Sequence, residues 1–566
     1  MMPSRLVVAI LAFASAGALA RAQQSPAAFD VLLLNGRVVD GTGAPWYRAD
    51  VAIKGDRIAA VGQLAGASAA TRIDASGLVI APGFIDMLGQ SETNLLVDPR
   101  GASKLLQGVT TELTGEGSSA GPINDRMIAD DSTLYARYHL TVDWRTFGEY
   151  LARLNDRAHP AINLGSFVGA GGLRNYVIGR TDRPASASEL DAMKREVARA
   201  MEEGAFGLSS SLQYVPDRFA STAELVELAR VAAGYGGIYI THQRSESGRI
   251  FESLDEVFAI AEQAKIPAEI FHLKTAYRAN WGRMPAVLDR IRAARARGLD
   301  ITANQYPYTR AANNLDACLP LWVREGTKAQ MIERLKDPAQ RDRIKQDMAD
   351  ANTTTWENQW YGSGGGAGVL LIEVTNPALR QYEGMTLTDI GKQLQKDPRD
   401  VVADFVIADN AESGVIISIM RDDDVETALK DPLVSVGTDA GARAEDGLLS
   451  ESKSHPRAWG SFARILGYYV REKQLLTLEE AVRKMTSRPA ARVGLADRGI
   501  LRPGFAADIT AFDPATIHDV ATFEDPMHYS VGIRHVLVNG KLAVRDGRLT
   551  SERAGRALRG PGYKGR

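Results

Sequence analysis

The middle of the chain alternates short apolar runs with longer amphipathic segments in which apolar residues recur at helical spacing. A strand-like run followed each time by a helix-like segment is typical of a (β/α)8 barrel. Three segments begin with a capping-box pattern, namely Ser221-x-x-Glu224, Ser253-x-x-Glu256 and Thr477-x-x-Glu480. The alternation predicts eight barrel strands, which end near Asp86, Thr114, Phe167, Leu208, Thr241, His272, Asn304 and Thr438.

Two segments near the ends of the chain share another pattern, with short apolar strands around tight turns such as Asn35-Gly36 and Asn539-Gly540. Isolated hairpins are marginal in water, so we interpret them as halves of one small β-sandwich domain into which the α/β barrel is inserted. We expect the Gly- and Arg-rich tail to be solvated and poorly ordered. The predicted boundaries are residues 23–81 and 495–550 for the β domain, 82–315 and 410–494 for the barrel, 316–409 for an insertion beside the site plus a barrel connection, and 551–566 for the tail.

The first 22 residues have the pattern of a secretory signal peptide. Arg5 precedes an apolar run over residues 6–20, and Ala20-Arg21-Ala22 offers a cleavage site. A membrane anchor is the alternative, but the run is shorter than the ~20 residues that a spanning helix needs. We therefore expect export to the periplasm or beyond.

Composition narrows the class of protein. Apolar content of 45% and charged content of 24% are those of an ordinary soluble globular protein. A net charge of −2, with both signs interspersed, gives no electrostatic reason to expect binding to nucleic acid, or to a membrane beyond export. Cys318 is the only cysteine, which excludes an intramolecular disulfide framework and leaves packing, with a metal as a further candidate, to hold the fold.

Candidate chemistry lies at the ends of three predicted strands. His242 and His272 close two successive apolar runs, so the barrel order places their side chains side by side at its catalytic face. Asp439 follows a third such run, where a carboxylate can accept a proton from water or complete a metal shell. Each residue alone has a plainer explanation, as a core histidine or a helix N-cap. Together they favour a metal site.

Beyond these residues, the chain resembles the D-aminoacylase group (N-acyl-D-amino-acid deacylases) of the amidohydrolase superfamily, over a span from Asp30 nearly to the C-terminus. Taken singly, the shared motifs are weak, but their order and spacing are specific. The motifs are Thr241-His242-Gln-Arg244-Ser-Glu246, His272-Leu-Lys274 with Asn280-Trp281-Gly282, Tyr306-Pro307-Tyr308, Gly437-Thr438-Asp439, the run from His455 to Arg464, and Phe523-Glu-Asp-Pro526 before Gly532-Ile-Arg-His-Val536.

The resemblance implies a (β/α)8 barrel with a small β domain, a divalent metal and a role for each matched residue. His242 and His272 match two metal ligands of the family, and Asp439 matches its general base. Lys274 and Tyr306 match residues that hold the substrate carboxylate, and Tyr214 matches a tyrosine near the scissile group. These roles are chemically sensible, since a lysine supplies a point charge and a tyrosine hydroxyl donates to an oxyanion.

Departures from the family pattern are concentrated at the metal. The strand that normally continues into His-x-His has Leu88 and Gln90 at those positions. Leucine cannot ligate a metal, and an amide is a poor substitute for imidazole. The expected metal-ligand cysteine aligns with Gly117, next to Glu116, while a usual histidine is Ala170 and a usual serine is Ala312.

Our hypothesis is therefore a site for one ion, zinc or another divalent metal, held by His242, His272 and Glu116. Asp439 would take the proton from the attacking water and return it to the leaving amine. Glu116 could instead be a solvated loop residue or an ion-pair partner, and Glu112 and Glu92 are the other candidate carboxylates.

The function predicted is metal-dependent hydrolysis of an N-acyl amino acid or a related small amide with a free carboxylate. The D configuration of the substrate rests on the resemblance alone, and the alanine at position 312 weakens the case for the carboxylate pocket. Two alternatives stay open, which are a cyclic-amide or lactone hydrolase with the same water chemistry, and a metal-free binding protein or pseudoenzyme. The oligomeric state stays unassigned.

Overall fold

A computed structural model describes residues 28–353 and 355–565, so the predicted signal peptide lies outside the described residues. The strands are β1 (Phe29–Val38), β2 (Tyr47–Lys54), β3 (Arg57–Gly62), β4 (Ala69–Asp74), β5 (Val79–Pro82), β6 (Phe84–Asp86), β7 (Val109–Thr114), β8 (Asn163–Ser166), β9 (Val168–Gly169), β10 (Gly207–Ser211), β11 (Ile238–His242), β12 (Ala268–Ile270), β13 (Ile301–Gln305), β14 (Arg310–Asn314), β15 (Val369–Ile372), β16 (Gly414–Ser418), β17 (Val434–Val436), β18 (Ile509–Phe512), β19 (Ile533–Val538), β20 (Lys541–Arg545) and β21 (Arg548–Leu549).

The α-helices range from single turns to a helix of 17 residues. They are α1 (Asn94–Val97), α2 (Ala102–Leu105), α3 (Asp125–Asp130), α4 (Ser132–Arg137), α5 (Phe147–Arg153), α6 (Ala170–Val177), α7 (Ala187–Glu203), α8 (Thr222–Gly234), α9 (Ile250–Ala264), α10 (Met284–Ala296), α11 (Leu321–Arg324), α12 (Lys328–Lys336), α13 (Pro338–Ala349), α14 (Gln359–Gly362), α15 (Leu387–Leu394), α16 (Pro398–Ala408), α17 (Asp422–Lys430), α18 (Arg457–Arg464), α19 (Leu478–Met485) and α20 (Ser487–Val493). Within the described ranges, we find no helix with the length and apolar character to cross a membrane.

The central strands form the predicted barrel. β6, β7 and β8 pair in parallel, and a second parallel set runs β9, β10, β11, β12, β13 and β17. Phe167 alone separates β8 from β9, so the two form one barrel strand and the count is eight. Between β17 and β6 the barrel closes through the Asp439 N–H, which donates to the Leu88 carbonyl at 2.7 Å. Closure places the first and last strand ends at one rim, where catalytic residues of such barrels lie.

The β domain draws its strands from both ends of the chain. Its nine strands form one hydrogen-bonded sheet, in which β5 pairs antiparallel with β18 and so joins the N-terminal strands to the C-terminal ones. The buried face of this sheet packs Val51, Ile53, Ile80, Ile509 and Leu537 into a separate apolar cluster. The fold class predicted from the alternation, a barrel with a small β domain, is confirmed.

Between β13 and β17 the chain forms an additional subdomain over the barrel mouth. β14, β16 and β15 make a three-stranded antiparallel sheet. Because β14 begins at Arg310 and β16 ends at Ser418, this unit extends beyond the predicted insertion, residues 316–409, at both ends. The pairing of β14 with β16 brings both ends of the insertion to one place above the site.

Two of the three predicted helix starts are confirmed, and the third is wrong. The side chains of Ser221 and Thr477 accept hydrogen bonds from the third residue of α8 and α19. Ser253, by contrast, lies inside α9, which begins at Ile250. Its buried hydroxyl accepts a bond from the Ser245 N–H at 2.7 Å, so this serine fastens the loop after β11 instead of capping a helix.

The expectation of a solvated, poorly ordered tail is also wrong. Arg556 and Leu558 exchange backbone hydrogen bonds with Leu164 of β8, at 3.0 and 2.8 Å. Ala557 and Leu558 are each 7% exposed. A short apolar pair in a Gly- and Arg-rich segment is enough to dock, because backbone groups of β8 are available to it.

Candidate active site

A cavity of about 500 Å³ opens at the C-terminal ends of the barrel strands, beneath the insertion. The site residues predicted from the sequence all line it, together with Gln90 from the altered His-x-His segment. Those predicted residues are Glu116, Tyr214, His242, His272, Lys274, Tyr306 and Asp439.

The two histidines stand side by side as the barrel order requires. His242 is the last residue of β11, and His272 lies two residues beyond β12, which pairs with β11 in parallel. Their rings are 4.4 Å apart between centroids and nearly perpendicular. The His272 backbone has a φ of 33°, a left-handed conformation rare for residues other than glycine. Strain of this kind persists where the surrounding structure holds a residue in place, often at a functional site.

Glu116 completes a group of three potential ligands. Its Oε1 lies 2.8 Å from His242 Nδ1 and 3.1 Å from His272 Nε2. One donor atom of each residue falls within 4.8 Å of the others, and this is the only group of its kind found in the described ranges. Two imidazoles and a carboxylate, converging with room for water, are the donor set of a catalytic zinc site.

The turn around Glu116 leaves no room for the cysteine that the resemblance implies at Gly117. Gly115 and Gly117 both have left-handed φ values, of 95° and 65°. A side chain at Gly117 would overlap Ser211 at the end of β10. A cysteine therefore does not fit at that position in this backbone, and the longer Glu116 side chain reaches the histidines from the preceding residue.

The replaced His-x-His segment takes on a different role. Leu88 is buried in an apolar cluster with Ile85 and Phe271, below the cavity. Gln90 stays in the cavity and donates from Nε2 to Glu116 Oε2 at 2.7 Å. Carboxylate ligands are commonly fixed by hydrogen bonds of this kind, so Gln90 orients Glu116 and leaves Oε1 facing the histidines.

The alternative carboxylates lie elsewhere. Glu112 is fully buried beneath the rim, where it accepts hydrogen bonds from the Ser91 N–H and hydroxyl. Burial raises the pKa of Glu112, and likewise that of Glu92, to about 7. Glu92 lines an adjoining cavity, and neither residue belongs to the group formed by Glu116 and the histidines.

The charges around the histidines favour a cation. Glu116, Glu246 and Asp439 face the cationic Lys274 and Arg457, which leaves one negative charge in excess when the imidazoles are neutral. Burial and the Lys274 ammonium act to lower the pKa of His272, but the surrounding carboxylates outweigh them and raise it to about 9. Burial acts to raise the pKa of Glu116, but hydrogen bonds from the histidines hold it well below its usual range. The donor set and its charge both fit a divalent metal.

Glu246 lies behind both histidines and within hydrogen-bond distance of His272, a position that the sequence did not reveal. Its Oε1 lies 3.0 Å from His272 Nδ1, and its Oε2 lies 3.6 Å from His242 Nε2. These are the ring nitrogens that face away from Glu116. Ligating histidines commonly direct their second nitrogen to a carboxylate, which fixes tautomer and orientation. The signal was present in the Thr241-His242-Gln-Arg244-Ser-Glu246 motif.

Asp439 faces the same cavity from the last barrel strand. Its backbone φ is 51°, a second left-handed residue at the rim. Its Oδ1 lies 3.5 Å from Gln90 Nε2, and its Oδ2 lies 2.7 Å from a guanidinium nitrogen of Arg457. Arg457, on the family run that begins at His455, also lies over the Tyr306 ring. Arg457 thus balances the charge of Asp439 at the wall of the cavity.

The residues predicted to bind substrate differ in how free they are. Lys274 is already engaged, with Nζ 2.6 Å from Glu246 Oε1 and 2.7 Å from His272 Nδ1. The Tyr306 hydroxyl is buried and has no hydrogen-bond partner in the described part of the chain, so it is available to a ligand. Tyr214 has its ring 4.9 Å from that of His242, and its hydroxyl accepts a bond from Asn313. Ala312 lines the cavity without a hydroxyl.

Comparison with known proteins agrees with this architecture. A model of the amidohydrolase family matches residues 410–544. D-aminoacylase of Alcaligenes xylosoxydans xylosoxydans is 35% identical over 538 residues, covering 94% of this chain and 97% of the relative.

Two solved structures superimpose over nearly the whole molecule. A D-aminoacylase, with a binuclear metal centre that shows one-metal activation and second-metal attenuation, is 34% identical, with a TM-score of 0.77 over 94% of this chain and 100% of that one. N-acyl-D-glutamate deacylase from Bordetella bronchiseptica, complexed with zinc and a phosphonate mimic of the tetrahedral intermediate, is 33% identical, with a TM-score of 0.77 over 94% and 99%. The chain therefore belongs to the amidohydrolase family, in the group that contains D-aminoacylase and the N-acyl-D-amino-acid deacylases.

Proposed function

We propose that this protein is a metal-dependent hydrolase that cleaves the amide bond of N-acyl amino acids. One observation carries the proposal, which is the convergence of Glu116, His242 and His272 on one point of a cavity that Asp439 also faces. Relatives of similar length are named as deacylases of N-acyl-D-amino acids, which supports the reaction and the D configuration of the substrate.

The residues of the chain divide the chemistry among them. A divalent ion held by Glu116, His242 and His272 would lower the pKa of water toward ~7 and polarise an amide carbonyl. Asp439 accepts the proton of the attacking water and delivers it to the nitrogen of the leaving amine. The Tyr306 hydroxyl, which has no hydrogen-bond partner among the described residues, donates to the substrate.

We propose a single ion. Leu88 is buried in an apolar cluster and Gln90 is bonded to Glu116, so the His-x-His segment offers no imidazole for a second position. In the D-aminoacylase of known structure, one metal activates the enzyme and the second attenuates it, so a single ion is compatible with activity in this family. Zinc is the first candidate, because two imidazoles with one carboxylate and an open position suit it.

We also propose that the protein acts after export, on the basis of the signal-peptide pattern in residues 1–22. Sequencing the N-terminus of the protein from a periplasmic or culture fraction tests this. A mature chain beginning at Gln23 supports export, and an intact N-terminus in the cytoplasm rejects it.

A substrate screen with metal analysis tests the function. The purified protein is assayed against N-acetyl-D- and N-acetyl-L-amino acids and against cyclic amides and lactones, while elemental analysis counts the ions per chain. Hydrolysis of N-acetyl-D-amino acids with one bound ion is expected. Activity confined to cyclic substrates would favour a cyclic-amide or lactone hydrolase, and absence of metal from active protein would reject the metal-dependent mechanism.

A further inference from the structure

Arg324 is a buried cation in the wall of the cavity, and it has no partner among residues 28–353 and 355–565. It ends α11, in the insertion, is 6% exposed and lines the 500 Å³ cavity. Its Nε has no hydrogen-bond partner, and the described part of the chain gives its guanidinium neither an ion pair nor a hydrogen bond. Burying a charge without a partner is costly, so such a group indicates a ligand.

Three other cations of the cavity are neutralised by carboxylates. Lys274 pairs with Glu246 at 2.6 Å, and Arg457 pairs with Asp439 at 2.7 Å. A third pair joins Arg443 to Glu373. Asp316 acts on Arg324 only at longer range and forms no ion pair with it. The guanidinium of Arg324 is thus a positive charge in the cavity wall that an incoming anion would find uncompensated.

A second arginine strengthens the site. Arg180 lines the same cavity, and its Nε donates to the carbonyl of Gly326, two residues beyond Arg324. Burial lowers the pKa of Arg324, and the like charge of Arg180 lowers it further, against the opposing effect of Asp316. A bound anion would relieve both the desolvation and the repulsion between the arginines. Arginine also suits a carboxylate because its planar fork can donate two parallel hydrogen bonds.

The position of the arginines relates them to the substrate. Tyr214 lines the same cavity as Arg324, and its ring lies 4.9 Å from that of His242. Tyr214, Val215 and Arg180 also line the adjoining cavity of about 410 Å³, so Arg180 lies where the two cavities meet, and Arg324 lines the larger one. An amide held at the histidines can therefore extend an anionic group past Tyr214 to Arg324.

We propose that Arg324, assisted by Arg180, forms a subsite for a second carboxylate of the substrate, in addition to the α-carboxylate. This inference rests on the proposed function and deepens it, because it makes the preferred substrate a dianionic N-acyl amino acid. The second carboxylate can belong to the amino-acid side chain or to a dicarboxylic acyl group, which share the same recognition chemistry.

Matched pairs of substrates test the subsite. N-acetyl-D-glutamate is compared with N-acetyl-D-glutamine, and N-succinyl-D-alanine with the monoamide of its succinyl group, so that each pair differs by one charge. The wild type is expected to favour the dianion of one pair by about 10- to 100-fold in kcat/KM, the range of a hydrogen-bonded charged contact. Arg324→Gln is expected to abolish that preference and to change the neutral member less than about threefold. The pair that responds identifies the source of the carboxylate.

Binding provides a readout that does not need turnover. The dissociation constants of both members of each pair are measured calorimetrically on Asp439→Asn with and without Arg324→Gln. One outcome separates the subsite from the proposed function. If the dianion binds selectively through Arg324 but the wild type hydrolyses neither member of any pair, the subsite is supported and the proposed function is rejected. No preference for a dianion in the wild type, or an equal loss on both members of a pair, would overturn the subsite.

Two further variants serve as controls for the loss of charge and for misfolding. Arg290→Gln removes an arginine charge that pairs with Asp255 on the surface, and it is expected to leave all four substrates unchanged. If Arg324→Gln does not fold, as judged by thermal melting, Arg324→Lys decides the question. Lysine retains the positive charge but not the planar fork of arginine. A kcat/KM ratio of dianionic to neutral substrate that falls below the wild-type ratio but stays above one supports the subsite. An unchanged ratio contradicts it.

Discussion

The two sides of the barrel mouth contrast sharply. On the β11–β12 side, His242 and His272 lie side by side at the strand ends, as the sequence predicted. On the β6–β7 side, the expected His-x-His and cysteine are absent, and Gln90 and Glu116 occupy the cavity instead. The first side supplies two donors of the candidate metal site. On the second side the backbone excludes a side chain at Gly117, and the third donor of the candidate site is the carboxylate of Glu116.

The contrast extends to the support behind each side. Behind the histidines lies the buried Glu246, which is 3.0 Å from His272 Nδ1 and 3.6 Å from His242 Nε2 and is itself paired with Lys274. Glu116 is fixed from the opposite side of the site by an amide, that of Gln90. Hydrogen bonds to charged groups are stronger than those from a neutral amide. Metal affinity should therefore fall more when the support behind the histidines is removed than when the support of Glu116 is removed.

Removing the histidine side should have the largest effect. The double variant His242→Ala with His272→Ala is expected to lose bound metal and to lower kcat/KM by about 10⁴-fold or more, because metal and water activation disappear together. Elemental analysis and the deacylase assay measure both. His518→Ala, an exposed histidine, is the matched control and should resemble the wild type. If the double variant retained its metal, the histidine side would not be the main metal-binding side of the barrel mouth.

Asp439→Asn separates the metal from the proton transfer. The variant is expected to keep its ion and to lose about 10²- to 10⁴-fold in kcat, the usual contribution of a general acid–base group. Metal content and kcat, measured on one preparation, distinguish a role of Asp439 in proton transfer from a role as metal ligand. A loss of metal that matches the loss of activity would show that Asp439 is a ligand and not the base.

Glu246→Gln tests the support behind the histidines. Loss of the carboxylate is expected to weaken metal affinity by about 10- to 100-fold, as measured by competition with a chelator. Glu357→Gln changes another carboxylate that lines the cavity, and it should leave the affinity unchanged. Equal affinities in the two variants would mean that Glu246 only balances Lys274.

Gln90→Ala should have the smallest effect. It removes one neutral donor from Glu116 Oε2, so metal affinity is expected to fall by less than about tenfold. Gln213→Ala removes an amide from the same cavity and serves as the control. A loss as large as that of Glu246→Gln would show that the two sides of the mouth are equally dependent on their supports.

Local patterns in the sequence were enough for the barrel, for the strand ends that carry His242 and His272, and for the position of Asp439. These features depend on apolar runs and on residues directly after them. The bonds of Lys274 to Glu246 and His272, the orientation of Glu116 by Gln90 and the docking of Leu558 on β8 depend on contacts between distant segments. Ser253 likewise matched a capping pattern, yet its partner is Ser245. Side-chain partners of this kind require the folded structure.

The number of metal ions bound by Glu116→Gln tests the central claim most directly. The substitution keeps the size of the side chain and removes its charge, and Glu92→Gln, in the adjoining cavity, is the matched control. Elemental analysis after dialysis against a weak chelator is predicted to give one ion per chain for the wild type and for Glu92→Gln, and far less than one for Glu116→Gln. One firmly bound ion in Glu116→Gln, with unchanged activity, would contradict the assignment of Glu116 as the third ligand.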